Sequence, residues 1–395
     1  MRILVIHNYY QFRGGEDECA EQETRLLRER GHEVRFFSRH NDTLRGLSPL
    51  GLARLPLRAV WSASAARELR AVCREFRPAV AHVHNWFPLL SPAVFHACRA
   101  AGVPTVYTLH DYRLFCPMGC LYRAGRPCEA CRRRSLWQAV RYRCYRGSRG
   151  ATATVALTLA AHRRLGTWRR RVSRYIALTE FARDWFAAAG LPAARIALRP
   201  NFAWDPGPAA APRRGVLFAG RLSAEKGLRE LLEAWRELPD VPLTVMGDGP
   251  LRAEAEARVR REGLAQVTLT GFRPAADVVE AMRRSLLLVV PSQWYEVCPR
   301  TILEAYAVGT PVLAARLGVL PHLVRDGETG LLFEPGSVRD LAAQARRAAR
   351  DPAACAAWGA AARREYERRY TPQAAYRRLL EIYEQAQADP GAGAA

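Results

Sequence analysis

Short apolar runs alternate with amphipathic stretches along most of this chain, and that alternation restricts the fold more than any other feature. Candidate strands occupy 3–7, 34–38, 80–84, 105–109, 175–179 and 195–198, then 216–220, 243–247, 267–270, 286–290, 311–314 and 330–333. Runs of this length, separated by helical patterns, predict parallel sheets covered by helices on both faces. A Pro- and Gly-dense break at 203–214, beginning Ala203-Trp204-Asp205-Pro206-Gly207-Pro208, reads as a linker between two such arrays. A chain of 395 residues, 49% of them apolar, has enough hydrophobic material for two cores. The predicted class is therefore α/β, with Rossmann-like domains at 1–202 and 203–370. Helices follow at about 353–369 and 373–387. The segment 371–388 is a candidate to pack back on the first domain, and 389–395 is expected to be disordered.

Charge narrows the partners without naming one. The formal charge is +22, which attracts anions such as phosphorylated substrates, nucleic acid or an acidic membrane face. No zinc-finger, RNP or helix-turn-helix pattern accompanies it, so nucleic acid is not an expected partner. No uninterrupted apolar run approaches transmembrane length, and residues 1–7 read as a buried strand; the expected location is cytoplasmic. Among the 60 Lys and Arg residues only Lys226 is lysine. In so Arg-rich a chain most arginines say little individually, whereas the one ammonium group marks a position where a compact point charge is used.

Lys226 falls after the strand 216–220, in Gly220-Arg221-Leu222-Ser223-Ala224-Glu225-Lys226-Gly227. Arg221 and Lys226 thus stand where a phosphate would meet a helix N-terminus. The strand 286–290 runs into Pro291-Ser292-Gln293-Trp294-Tyr295-Glu296, with a helix expected from about Arg300 and Glu304 one turn inside it. Two carboxylates so placed can accept hydroxyls of a sugar and of a ribose, with backbone N–H groups between them turned to a diphosphate. Gly14-Gly15, at the first strand-to-helix turn, is either an ordinary turn or a place where backbone comes close to a pyrophosphate or an acceptor. It is not a full Gly-x-Gly-x-x-Gly, which argues against a nicotinamide dinucleotide site. His110-Asp111 ends the fourth strand, and Gly247-Asp248-Gly249-Pro250 and Gly271-Phe272-Arg273 follow strands of the second array.

Taken in order, these segments resemble family 4 glycosyltransferases of the GT-B fold: a glycine pair after the first strand, His-Asp after the fourth, Gly-Arg-x4-Lys-Gly, Gly-Asp-Gly, Glu-x7-Glu, and Gly-Thr-Pro at 309–311. The resemblance implies a retaining transfer of a sugar from a nucleotide diphosphate sugar, UDP- or GDP-linked, to a glycan or lipid-linked acceptor in a cleft between two facing domains. It implies that Arg221 and Lys226 hold the diphosphate, Glu304 the ribose and Glu296 the transferred sugar, and that backbone through Thr301 and Ile302 approaches the phosphates. His110 is then a candidate to hydrogen-bond the sugar and stabilise developing positive charge. Gly247 and Asp248 would shape the donor cleft, and Phe272 and Arg273 would border the base. No two aspartates are spaced Asp-x-Asp, so leaving-group charge falls to Arg221, Lys226 and helix amides, and no cofactor or metal is expected for catalysis. The competing expectations are a GT-B nucleotide-sugar epimerase or hydrolase and, on charge alone, a basic nucleic-acid-binding protein.

Between about 112 and 150 lies a cysteine-rich insertion. Cys116, Cys128, Cys131 and Cys144 could form a structural zinc site, with Cys120 spare, or could all be reduced and unligated. Arg132-Arg133-Arg134, Arg163-Arg164 and Arg169-Arg170-Arg171, with Trp137 and Trp168, are candidates to contact a phosphorylated lipid-linked acceptor or an anionic membrane surface, making the protein peripheral on the inner face.

Overall fold

The computed structural model describes residues 1–11, 14–46, 48–208 and 212–388. The middle of the expected linker, 209–211, and the expected disordered tail, 389–395, lie outside them. The chain divides into two compact units. One comprises Met1–Cys120, Glu129–Pro200 and the segment from Tyr376; the other comprises Leu121–Cys128 and Asn201–Ala375.

In the first unit β1 (Arg2–Tyr9), β2 (Glu33–His40), β3 (Val80–Val83) and β4 (Thr105–Thr108) come first. After a two-stranded hairpin that belongs to the other unit, β5 (Tyr122–Arg123) with β6 (Arg126–Pro127), the first unit's sheet is completed by β7 (Arg174–Ala177) and β8 (Ile196–Leu198). Its order is β2-β1-β3-β4-β7-β8, parallel throughout. Strand β1 shows why: Ile3, Leu4, Val5 and Ile6 are all fully buried, because a parallel strand with helices on both faces has no wet side. Each such side chain contributes roughly 1.5–3 kcal/mol relative to exposure.

The second unit repeats the plan with β9 (Val216–Ala219), β10 (Leu243–Met246), β11 (Val267–Gly271), β12 (Leu287–Val290), β13 (Val312–Ala315) and β14 (Gly330–Phe333). Their order, β11-β10-β9-β12-β13-β14, is that of a doubly wound sheet. Strand order reverses between β1 and β3 in one unit and between β9 and β12 in the other. At such a reversal the following loops part, leaving room for a ligand beyond the carboxyl ends of the strands.

Two helices close the described chain, Pro352–Arg369 and Pro372–Ala388. From Tyr376 onward the second of these belongs to the first unit. Tyr376 Oη lies 2.8 Å from His32 Nε2, Arg378 Nε donates to Leu198 O at 3.1 Å, and Tyr383 Oη lies 2.8 Å from His82 Nδ1. No helix among the described residues is long and apolar enough to cross a membrane.

Candidate active site

In the second unit the loop after β9 is built on a steric requirement. It turns through a short 3-10 segment, Ala224–Lys226, into the helix Leu228–Trp235, with Gly227 at φ +75°. A Cβ at Gly227 would collide with Pro291 O, so this backbone lies directly on the loop after β12. The two loops are also joined by Gln293 N–H donating to Glu225 O at 2.8 Å. That contact delivers Lys226 to Glu296: Nζ to Oε1 is 2.7 Å, and Ser292 Oγ donates to the same oxygen at 2.6 Å. The ammonium also stands 5.2 Å from the centre of the Trp294 ring. Glu296 is only 4% exposed, whereas 26% of the Lys226 side chain is open, so the cation is the reachable member of the pair.

The other predicted residues of this unit distribute unevenly. Arg221 is exposed on the same loop. Glu304 sits in the helix Arg300–Ala307 with Oε1 2.9 Å from Arg300 Nη2, an i,i+4 pair. Thr301 is half-buried at the start of that helix. Ile302 turns its side chain into the core, and its N–H donates to Pro299 O at 3.1 Å. Gly247 and Gly249 have a packing origin, since a Cβ on the first would strike Gly220 O and on the second Leu222 O. Asp248 is exposed and pairs with Arg252 at 3.2 Å, while its carbonyl accepts from Leu222 N–H at 2.9 Å. The segment thus fastens the end of β10 to the β9 loop. Phe272 is 70% exposed and Arg273 is exposed beside it. Sequence reasoning missed Ser292 and Trp294, whose indole N–H is buried with no hydrogen-bond partner among the described residues.

The first unit is organised differently. Gly14 caps the helix Gly15–Glu29, its N–H donating to Asp17 Oδ2 at 2.9 Å. Glu16, Asp17 and Glu18 fill the first turn, and burial, with Asp111 and Asp17 nearby, pushes the Glu16 carboxyl well above its ordinary value. A Cβ on Gly14 would meet nothing within 4 Å.

His110 belongs to a chain of imidazoles. His84 Nδ1 is 3.0 Å from His110 Nε2, and the rings overlap at 5.2 Å between centres. His84 Nε2 lies 3.3 Å, and His82 Nδ1 2.8 Å, from Glu23 Oε1, while Arg199 donates to Glu23 Oε2. Burial pushes the Glu23 carboxyl up, but Arg199 and the two imidazoles override it and hold the group well below the ordinary carboxylate range. Desolvation, with His82 alongside, lowers His84 to about 3; desolvation and His84 likewise lower His110. At neutral pH both rings are therefore uncharged. Glu23, His82 and His84 also form a group of metal-capable donors, their ligand atoms within 4.8 Å of one another. The guanidinium on Glu23 already supplies the countercharge there, so an added cation would be repelled by it.

Of the four candidate zinc ligands, Cys116, Cys131 and Cys144 lie in the first unit and Cys128 in the second. Each is carried by its own local turn. Cys128 N–H donates to Leu121 O across the hairpin, Cys131 is in the short helix Ala130–Arg133, and Cys144 N–H donates to Ala139 O. The basic-aromatic reading is corrected at Trp168 and Arg163. Trp137 is 68% exposed, but Trp168 is buried against Trp86 and Phe95, and Arg163 lies over Phe115 while donating to Leu114 O.

Comparison with known proteins agrees with this architecture. Residues 207–365 match the model for "Glycosyl transferases group 1", and residues 13–203 that for "Glycosyltransferase Family 4". A 2-deoxystreptamine glucosyltransferase of Streptomyces kanamyceticus is 32% identical over 312 residues, 75% of each chain. A 2-deoxystreptamine N-acetyl-D-glucosaminyltransferase of Streptomyces fradiae is 29% identical over 75% of this chain and 68% of its own. Among solved structures, Anabaena HepE in complex with UDP superimposes with TM-score 0.71 at 21% identity, covering 97% of this chain and 100% of that one. Sucrose-phosphate synthase of Thermosynechococcus elongatus gives 0.73 at 20%, over 98% and 99%. These two likenesses establish the GT-B fold. With both halves matched by family models and a relative of that identity spanning three quarters of the chain, the protein belongs to glycosyltransferase family 4 and is a hexosyl-transferring glycosyltransferase.

Proposed function

We propose that the protein transfers a hexosyl group from a nucleoside diphosphate sugar to a hydroxyl of a glycan or lipid-linked acceptor, with retention at the anomeric carbon and without a metal ion. The observation that carries this reading is the Lys226–Glu296 pair at the point where the second sheet reverses its strand order. In the free protein the two charges neutralise each other. An arriving diphosphate takes the ammonium, and the released Glu296 carboxylate accepts hydroxyls of the sugar. Arg221 and the N-terminus of the helix Arg300–Ala307 add positive potential where the leaving group gains charge. Glu304 accepts the ribose hydroxyls, and His110 hydrogen-bonds the transferred sugar. The acceptor oxygen bonds to the anomeric carbon on the face from which the phosphate oxygen departs. The acceptor proton passes to that oxygen, so no protein nucleophile is needed.

A UDP-linked donor is favoured by the relatives of this fold, since HepE has been solved with UDP and with UDP-glucose. The exposed Trp137 with the Arg132–Arg134 run supports contact with an anionic lipid face, which tighter binding to anionic than to neutral liposomes would test. The decisive test of function is a thermal-shift panel of UDP-, GDP- and ADP-sugars with chelator present. A matching donor at about 100 times its Kd should stabilise the fold by about 2.7 kcal/mol. Silence across the panel, or turnover abolished by chelator, removes the proposal. Release of free sugar at full rate without acceptor would instead favour a hydrolase.

A further inference from the structure

Two neutral imidazoles facing each other share one proton, and which ring carries it decides what His110 offers to a ligand. The answer is set three links away. Arg199 donates to Glu23 Oε2, and both groups are nearly inaccessible, at 2% and 3% exposure. Glu23 is therefore an ionised carboxylate, and its second oxygen, Oε1, has only lone pairs to present. His84 Nε2 stands 3.3 Å from that oxygen, an oblique approach within ion-pair reach though short of a hydrogen bond. A bare Nε2 there would set lone pair against lone pair in a buried site, so the His84 proton sits on Nε2. Nδ1 of His84 is then an acceptor, and His110 Nε2, at 3.0 Å, is the group positioned to donate to it.

We propose that Glu23, acting through His84, holds His110 in a single tautomer, with the proton on Nε2 and Nδ1 kept bare to accept a hydrogen bond from a ligand hydroxyl. His84 and Glu23 are positioning residues in this scheme, neither touching the sugar. Surrounding groups reinforce the choice. His82 directs Nδ1 toward the same Glu23 oxygen and toward Tyr383 Oη, with Nε2 2.7 Å from Thr108 Oγ1, so it does not compete for the His84–His110 contact. His7 is held by Asp17 at 2.7 Å. The logic matches that of a buried carboxylate orienting a catalytic imidazole, extended by one ring.

The inference rests on the reading that His110 meets the transferred sugar, but its first test does not. In ¹⁵N-histidine-labelled full-length protein without ligand, long-range ¹H–¹⁵N spectra, with His110 assigned by its loss in His110→Ala, should show Nε2 protonated and Nδ1 bare. His84→Leu should release the ring to a mixture of tautomers and lower kcat about tenfold with donor KM within about twofold. His84→Gln, whose amide can donate toward Glu23 while its oxygen accepts from His110, should restore both the spectrum and most of the rate. A proton on Nδ1 of His110 in the unmodified protein, or an unchanged tautomer in His84→Leu, overturns the proposal. Full turnover by His110→Ala would overturn the catalytic role of His110 and leave the tautomer result standing, so the two failures can be told apart.

Discussion

Both sheets reverse their strand order once, yet the residues at the two reversals have opposite electrical character. In the second unit the loops after β9 and β12 meet through Gly227 and present a cation that 26% of its side-chain surface leaves reachable. In the first unit, beyond β1 and β3, the helix start is acidic and the imidazoles of His84 and His110 are uncharged at neutral pH. In the proposed mechanism one reversal trades an internal partner for an external anion, and the other offers directed hydrogen bonds from uncharged rings. A strand-order reversal common to both sheets therefore does not make the two sites alike; the side chains placed at the strand ends set them apart.

The largest effect should come from breaking the backbone contact on which the second site stands. Gly227→Ala places a Cβ against Pro291 O at a positive φ, and urea denaturation should show a loss of about 4 kcal/mol or more. A loss under about 1 kcal/mol would mean the loops are not locked together. Next, Lys226→Gln should cut kcat/KM for sugar transfer about 10²–10³-fold, with the unfolding midpoint little changed. Full activity in that variant would deny the ammonium its role.

The pH response sharpens the contrast further. His84 has a folded value of about 3 against an ordinary 6.5, so the folded state disfavours its protonation. Its stabilising contribution is complete above about pH 6.5 and falls away as pH drops toward 3. Glu23, also depressed, adds a loss at the acid end of that range. Thermal midpoints should thus decline steadily below pH 6.5, and His84→Gln should flatten the decline between pH 6.5 and 5. An unchanged slope in that variant would assign the proton uptake elsewhere. The smallest effect belongs to Gly14→Ala: with open space around the new methyl and an ordinary φ of −129°, stability should stay within about 0.5 kcal/mol. Any large fall in activity at that position would reveal a ligand close to the backbone.

Much of the fold could be read from residue order because parallel strands buried on both faces leave continuous apolar runs. The segment expected at 330–333 is β14, and that expected at 267–270 differs from β11 by one residue. The trimmed ends matter most: β3 stops at Val83 and β4 at Thr108, which puts His84 and His110 just past the sheet. Lys226 stood out by being alone of its kind, and Glu296 by its place after a strand. The relay behind His110 left no such trace, since Glu23, His84 and Arg199 come from distant segments and meet only through tertiary packing. His82-x-His84 at a strand end was the available signal, because alternate residues share a face. Trp168 went astray for a related reason: an aromatic beside arginines reads the same whether it points outward or, as here, into the core.

The helix Pro372–Ala388 carries one more implication, for synthesis. Because Tyr383 meets His82 across 301 positions, the first unit to leave the ribosome is the last to be finished, and the whole of the second unit is made while the seat of Tyr383 stands empty. Chains interrupted after Ala375 would hold that seat open indefinitely, and pulse-labelled fragments of that length should be recovered with chaperones or in aggregates while the completed polypeptide is not.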